Sequence, residues 1–162
     1  MRTRPASIAT IVITIGLALT AIGIARGLPY AFGGQGERAS VGADAWAHGT
    51  AVSPPIVALV VLGLLAAIAM RPTRGGRRAA AWLAVLAGAV LLAAILEPAT
   101  ARILLLANPD AVLTSLAWTE AMALVALVLS AAGEARGGNR IDVAVRRRSL
   151  ARSAPMAATS AA

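Results

Sequence analysis

The sequence predicts an all-α integral membrane protein: a four-helix transmembrane bundle, up-down antiparallel, with both termini cytoplasmic. Three observations carry this expectation. Apolar runs are long and uncharged, charge is scarce, and the arginines gather at the ends of the runs. The chain is 59% hydrophobic and 14% charged, with a mean hydropathy of +0.78. A soluble domain carries about 25% charged residues. The 162 residues suffice for one transmembrane domain, 1–136, and a basic tail, 137–162.

The direction of the spans is set by residues 71–78, which hold Arg71, Arg74, Arg77 and Arg78 and no acid. Such a turn between apolar helices reads as a cytoplasmic hairpin. With it inside, the inner segments hold Arg2, Arg4, the hairpin four and six arginines from Arg136 to Arg152. The outer segments hold only Arg26, Arg38 and Arg102.

The first helix is expected over 6–25, uncharged throughout. Its 20 residues rise about 30 Å, the thickness of a hydrocarbon core. The basic head before it resembles a signal peptide. The run is longer than the usual apolar region of one, and no A-x-A site precedes Arg26, so an uncleaved anchor is expected. Gly16, Thr20 and Gly23 share one face, a pattern that permits close helix packing.

Residues 26–53 are expected to form an outer loop, broken by Gly27, Pro29, Gly33, Gly34 and Gly36. Ser53 is expected to cap a second helix over 54–70, with Pro54 and Pro55 in its first turn. A third helix is expected over 79–97. It carries a small-residue stripe, Ala80, Ala84 and Gly88, and an interfacial anchor, Trp82. Glu97-Pro98 then ends or kinks it, leaving 98–108 as an outer kinked or interfacial segment. Asn108-Pro109-Asp110 reads as cap, first-position proline and acid of a fourth helix over 109–132. Gly133, Gly137 and Gly138 are expected to end it, and the tail beyond to be disordered.

Composition excludes several chemistries. All 15 basic side chains are Arg, so no lysine can form a Schiff base. There is no Cys, which removes thiol chemistry and disulfides, and His48 is the single histidine. The +8 charge resembles a nucleic-acid signature. Its location at helix ends points instead to anionic lipid headgroups, contacted by Arg71, Arg74, Arg77, Arg78, Arg146, Arg147 and Arg148.

Three places are candidates for function. Glu120 lies in mid-span, where a carboxyl costs roughly 2.5–3.5 kcal/mol on insertion scales. It is expected to be uncharged and hydrogen-bonded to Thr10 or Thr14, to pair with a partner protein, or to serve an ion path; the two structural readings are favoured. Glu97 and Arg102 form the second candidate, an interfacial salt bridge or an outer gate. Asp44 and His48, four apart, would share a helical face. Zinc needs three protein ligands, and only Glu37 is a third candidate, so an exposed loop pair beside Trp46 is expected.

No catalytic constellation stands out, and no cofactor is implied. Alanine- and arginine-rich usage without lysine suggests a bacterial source and a multi-pass protein of the cell membrane. The expected role is a non-catalytic accessory or assembly subunit that packs against other membrane proteins or itself. The alternative is a small oligomeric transporter or channel that uses Glu120. Orientation is directly testable. A single cysteine at position 45 should react with an impermeant reagent added to intact cells, whereas cysteines at positions 3, 75 and 150 should not. Labelling of position 75 from outside would overturn the topology.

Overall fold

The computed structural model describes residues 5–28, 41–50, 52–97 and 110–152, with side chains described over 5–28, 44–50, 52–97 and 110–137. The described residues are helical, apart from turns and one two-residue bridge between Thr50 and Ser53. In chain order the helices are α1 (Pro5–Ala25), α2 (Val41–Ala47), α3 (Ile56–Ala69), α4 (Arg74–Leu96) and α5 (Ala111–Arg152). Three stretches are long and apolar enough to cross a membrane: Pro5–Ala25, Arg74–Leu96 and Ala111–Gly137. The 14 residues of α3 rise only about 21 Å, short of a hydrocarbon core.

The helix boundaries correct several expectations. α4 begins at Arg74, not Ala79. Thr73 is extended and its hydroxyl accepts from Gly76 N at 3.0 Å, which caps the helix inside the arginine stretch. Gly76 packs so closely that a Cβ there would overlap Arg71 O. Arg74, Arg77 and Arg78 thus lie in the first turns of α4, where cations oppose the helix dipole. Helix stability does not explain their placement.

α5 begins one residue after Asp110, whose Oδ1 accepts from Leu113 N at 3.0 Å. The capping role expected of Asn108 therefore falls to Asp110; Asn108 and Pro109 lie outside the described residues. At its other end α5 runs through Gly133, Gly137 and Gly138 to Arg152, twenty residues past the expected end at Ala132. Each glycine costs a helix interior only about 1 kcal/mol, and no proline interrupts 111–152. Residues 153–162 and 98–109, Arg102 included, lie outside the description.

The long helices form a ring: α1 packs on α3 and α5, and α4 packs on α3 and α5. Contacts run in the antiparallel sense, with Ile13 against Gly63 and Gly16 against Leu59. Val12, Leu59, Leu62, Leu83 and Leu127 fill the centre. Between 22% and 33% of each candidate span is buried. The outward surface is apolar, with Leu64, Leu92 and Leu129 exposed, as hydrocarbon surroundings require. Trp82 is 65% exposed near the arginine end of α4, suited to an interfacial position.

The two small-residue stripes differ in tightness. A Cβ on Gly16 would lie 2.9 Å from Glu120 Oε1 and 3.0 Å from Leu59, whereas one on Gly88 would meet Val128 at 3.9 Å. Ala84 and Gly88 are half-buried on α4. Gly16→Ala should therefore destabilise the fold by about 1–3 kcal/mol through overpacking. Gly88→Ala should be neutral or stabilise by up to about 1 kcal/mol through helix propensity. Thermal melts of both variants in detergent check the contrast, and equal melts would refute the packing assignment.

Candidate functional site

The site begins with the backbone before α3. Gly49 adopts φ 73°, and a Cβ there would lie 2.5 Å from Ser53 O, so this turn requires glycine. Beyond it Thr50 and Ser53 exchange backbone bonds, Thr50 N to Ser53 O at 3.0 Å and Ser53 N to Thr50 O at 3.1 Å. This small loop lies against α1. Ser53 Oγ donates to Gly16 O at 2.9 Å, Thr20 Oγ1 donates to the same oxygen at 2.8 Å, and the two hydroxyls are 2.6 Å apart. Gly16 is eleven residues into α1, about 16 Å along its axis, so non-helical backbone reaches the middle of the span. Ser53 is therefore not the cap expected of it. α3 starts at Ile56 behind Pro55 with no side-chain cap bond.

Glu120 approaches the same level from α5. It is 5% exposed, and its Oε1 has no hydrogen-bond partner. The Glu120 carboxyl oxygen occupies the space that Gly16 leaves open. Thr10 and Thr14, expected as partners, lie on the exposed side of α1, and Thr10 donates to Ala6 O. Helical geometry explains the miss. Two and six residues from Gly16, these threonines point away from the face that carries it.

A cavity of about 260 Å³ opens beside Glu120, lined among others by Thr50, Ser53, Ala89, Glu97, Ala117 and Glu120. Glu97 stands at the end of α4, half-buried, and shares this cavity with Glu120. Thr50 Oγ1 is also buried without a partner, and it fills the space above Gly23. Thr20, Gly16 and Gly23 are all buried on this face. Thr50 and Ser53 were not foreseen as site residues, since a polar loop reads the same whether it lies outside a membrane or dips into it. The available signal was the shortness of the apolar run after Pro55.

The remaining candidates lie elsewhere. Asp44 and His48 do share a face, with Oδ1 and Nδ1 at 3.8 Å, and Trp46 beside them is 49% exposed. Among the described residues no cluster of three metal-ligating side chains occurs. Arg26, at the end of α1, pairs with Asp110 at the start of α5, a contact the sequence reading missed. Arg71, Arg74 and Arg78 are exposed and Arg77 is half-buried, while the side chains of Arg146, Arg147 and Arg148 lie outside the description.

The site brings a carboxyl group and hydroxyls together in an alanine-rich cavity. Its polar packing predicts a measurable stability term. Ser53→Ala removes the bond from the loop to Gly16 O and should cost about 0.5–2 kcal/mol in thermal or denaturant unfolding in detergent. Unchanged stability would show that the loop does not rest on α1. In comparisons with known proteins the chain matches no family model, and it matches no curated protein and no solved structure.

Proposed function

We propose that this chain is a small non-catalytic carrier that binds its ligand or ion at Glu120, within a multi-pass four-helix bundle of a bacterial cell membrane with both termini cytoplasmic. The observation that carries the proposal is the Glu120 carboxyl, buried at mid-span beside a cavity with one oxygen unpartnered. Ionisable groups at that depth are costly and mark ligand or ion paths. Discontinuous backbone beside such a group is a second feature of carrier sites. The arginine distribution supports the orientation. Anionic headgroups would be contacted by the hairpin arginines, and self-association would enlarge the pathway that four short helices enclose.

The alternative is an accessory or assembly subunit. Its motive was the pair of small-residue faces, and much of that surface is taken up inside the chain. Gly16 is covered by Leu59 and Glu120, Gly23 by Thr50, and Gly88 faces Val128. What favours it still is Glu120 itself, which could pair with a partner's cation.

Glu120→Gln separates the two. The amide keeps the shape and the hydrogen-bonding capacity, so melting should be nearly unchanged. In liposomes containing the native chain, flux of a proton or small-ion indicator should be measurable, and the variant should abolish it. Native flux that Gln leaves intact would sink the carrier. Loss of a stoichiometric co-purifying protein, with no flux in the native chain, would instead establish the assembly role.

A further inference from the structure

We propose that the Gly16–Thr20–Gly23 face of α1, with Ser53 and Thr50 packed on it, is a one-sided proton path that ends on Glu120. This rests on the carrier reading and names its ion or coupling species as the proton. Four buried oxygens lie against this face, the central two bonded to each other and the outer two joined to them only through the space between. Glu120 Oε1 sits at the level of Gly16, and Ser53 Oγ and Thr20 Oγ1 share Gly16 O. Thr50 Oγ1 sits at the level of Gly23. The seven residues from Gly16 to Gly23 rise about 10 Å, toward the membrane face opposite the arginine hairpin.

The chemistry of the central pair suits a relay. A hydroxyl has one proton and two acceptor positions. Thr20 can donate to Ser53 while Ser53 donates to Gly16 O, or Ser53 can donate to Thr20 while Thr20 donates to Gly16 O. The first uses the 2.6 and 2.9 Å contacts and the second the 2.6 and 2.8 Å contacts; rotation of two hydroxyls interconverts them, and in each the proton resting on Gly16 O must turn toward water to move on. At the two ends, Glu120 Oε1 and Thr50 Oγ1 are buried without partners. Both residues line the 260 Å³ cavity, which has room for several waters at about 30 Å³ each. In one direction the Glu120 O–H gives its proton to such a water, leaving a carboxylate. The excess proton passes along these groups and leaves beyond Thr50, and the return reverses these steps. No other bond changes.

Among the described residues the core beyond Glu120 toward the arginine hairpin is apolar. There Ala9, Val12, Leu62, Leu127 and Ala131 close an apolar core. The described spans around Glu120 carry few other charged groups. Glu97 lines the same cavity from α4, Asp110 and Arg26 are paired at the far face, and Arg74, Arg77, Arg78, Glu134 and Arg136 lie toward the hairpin face. α3 carries none.

The test uses the full chain in liposomes, its orientation sorted by labelling a cysteine at position 75. The infrared carbonyl band of protonated Glu120 is identified by its loss in Glu120→Gln and followed after a pH jump on one side. The band should respond to the bath opposite the hairpin about tenfold faster than to the hairpin bath. Thr20→Val should slow the response by about tenfold, and Thr20→Ser should keep it. Equal response from both baths, faster response from the hairpin bath, no response, or an unaltered rate in Thr20→Val would overturn the path. Should Thr20→Val not fold, the sidedness of the native chain decides alone. A sided response without flux would uphold the path and sink the carrier; flux lost in Glu120→Gln without sidedness would do the reverse.

Discussion

Inside hydrocarbon every backbone polar group must find a partner within the protein. In this chain the segment before α3 is non-helical, and its described bonds run within the loop and to α1. Thr50 and Ser53 bond each other's backbone, Gly49 supplies the turn, and the Ser53 hydroxyl ties the loop to Gly16. α3 has only 14 residues because this loop occupies the rest of its depth. The loop in turn needs a helix surface without side chains, and α1 provides one at Gly16 and Gly23.

The same two glycines determine where polarity collects. Opposite Gly16 stands a carboxyl oxygen and opposite Gly23 a hydroxyl, neither with a partner. Leaving a buried polar atom unsatisfied costs about 1–3 kcal/mol, so two of them in one small helical ring are a substantial concession. The neighbouring groups do not relieve it. Ser53 and Thr20 are committed to each other and to Gly16 O, and the rest of the cavity wall is largely alanine and other apolar side chains.

Much of the helical plan was legible because it depends on run length alone. Residues 6–25 lack any charge, and the observed α1, Pro5–Ala25, differs by a single residue. Charge misled at the hairpin. Four arginines and two glycines look like a turn, yet Thr73 nucleates α4 among them. Glycine misled at the end of α5, where 133, 137 and 138 weaken a helix without stopping it. Glu120 stood out from the sequence because a carboxylate in an apolar run is costly on its own terms. Its surroundings were not legible. The depth of Thr50 and Ser53 depends on how a loop folds back on α1, a long-range contact that local residue chemistry does not encode.

Glu120 and the arginine-bearing end of the chain belong to one uninterrupted helix. From Glu120 to Arg152 α5 continues for 32 residues, about 48 Å at helical rise. Only Gly133, Gly137 and Gly138 soften it on the way. A small tilt of such a helix at the carboxyl would be magnified into a larger displacement at its far end. In mechanical terms the buried acid would then sit near the fulcrum of a lever whose far end carries the arginines.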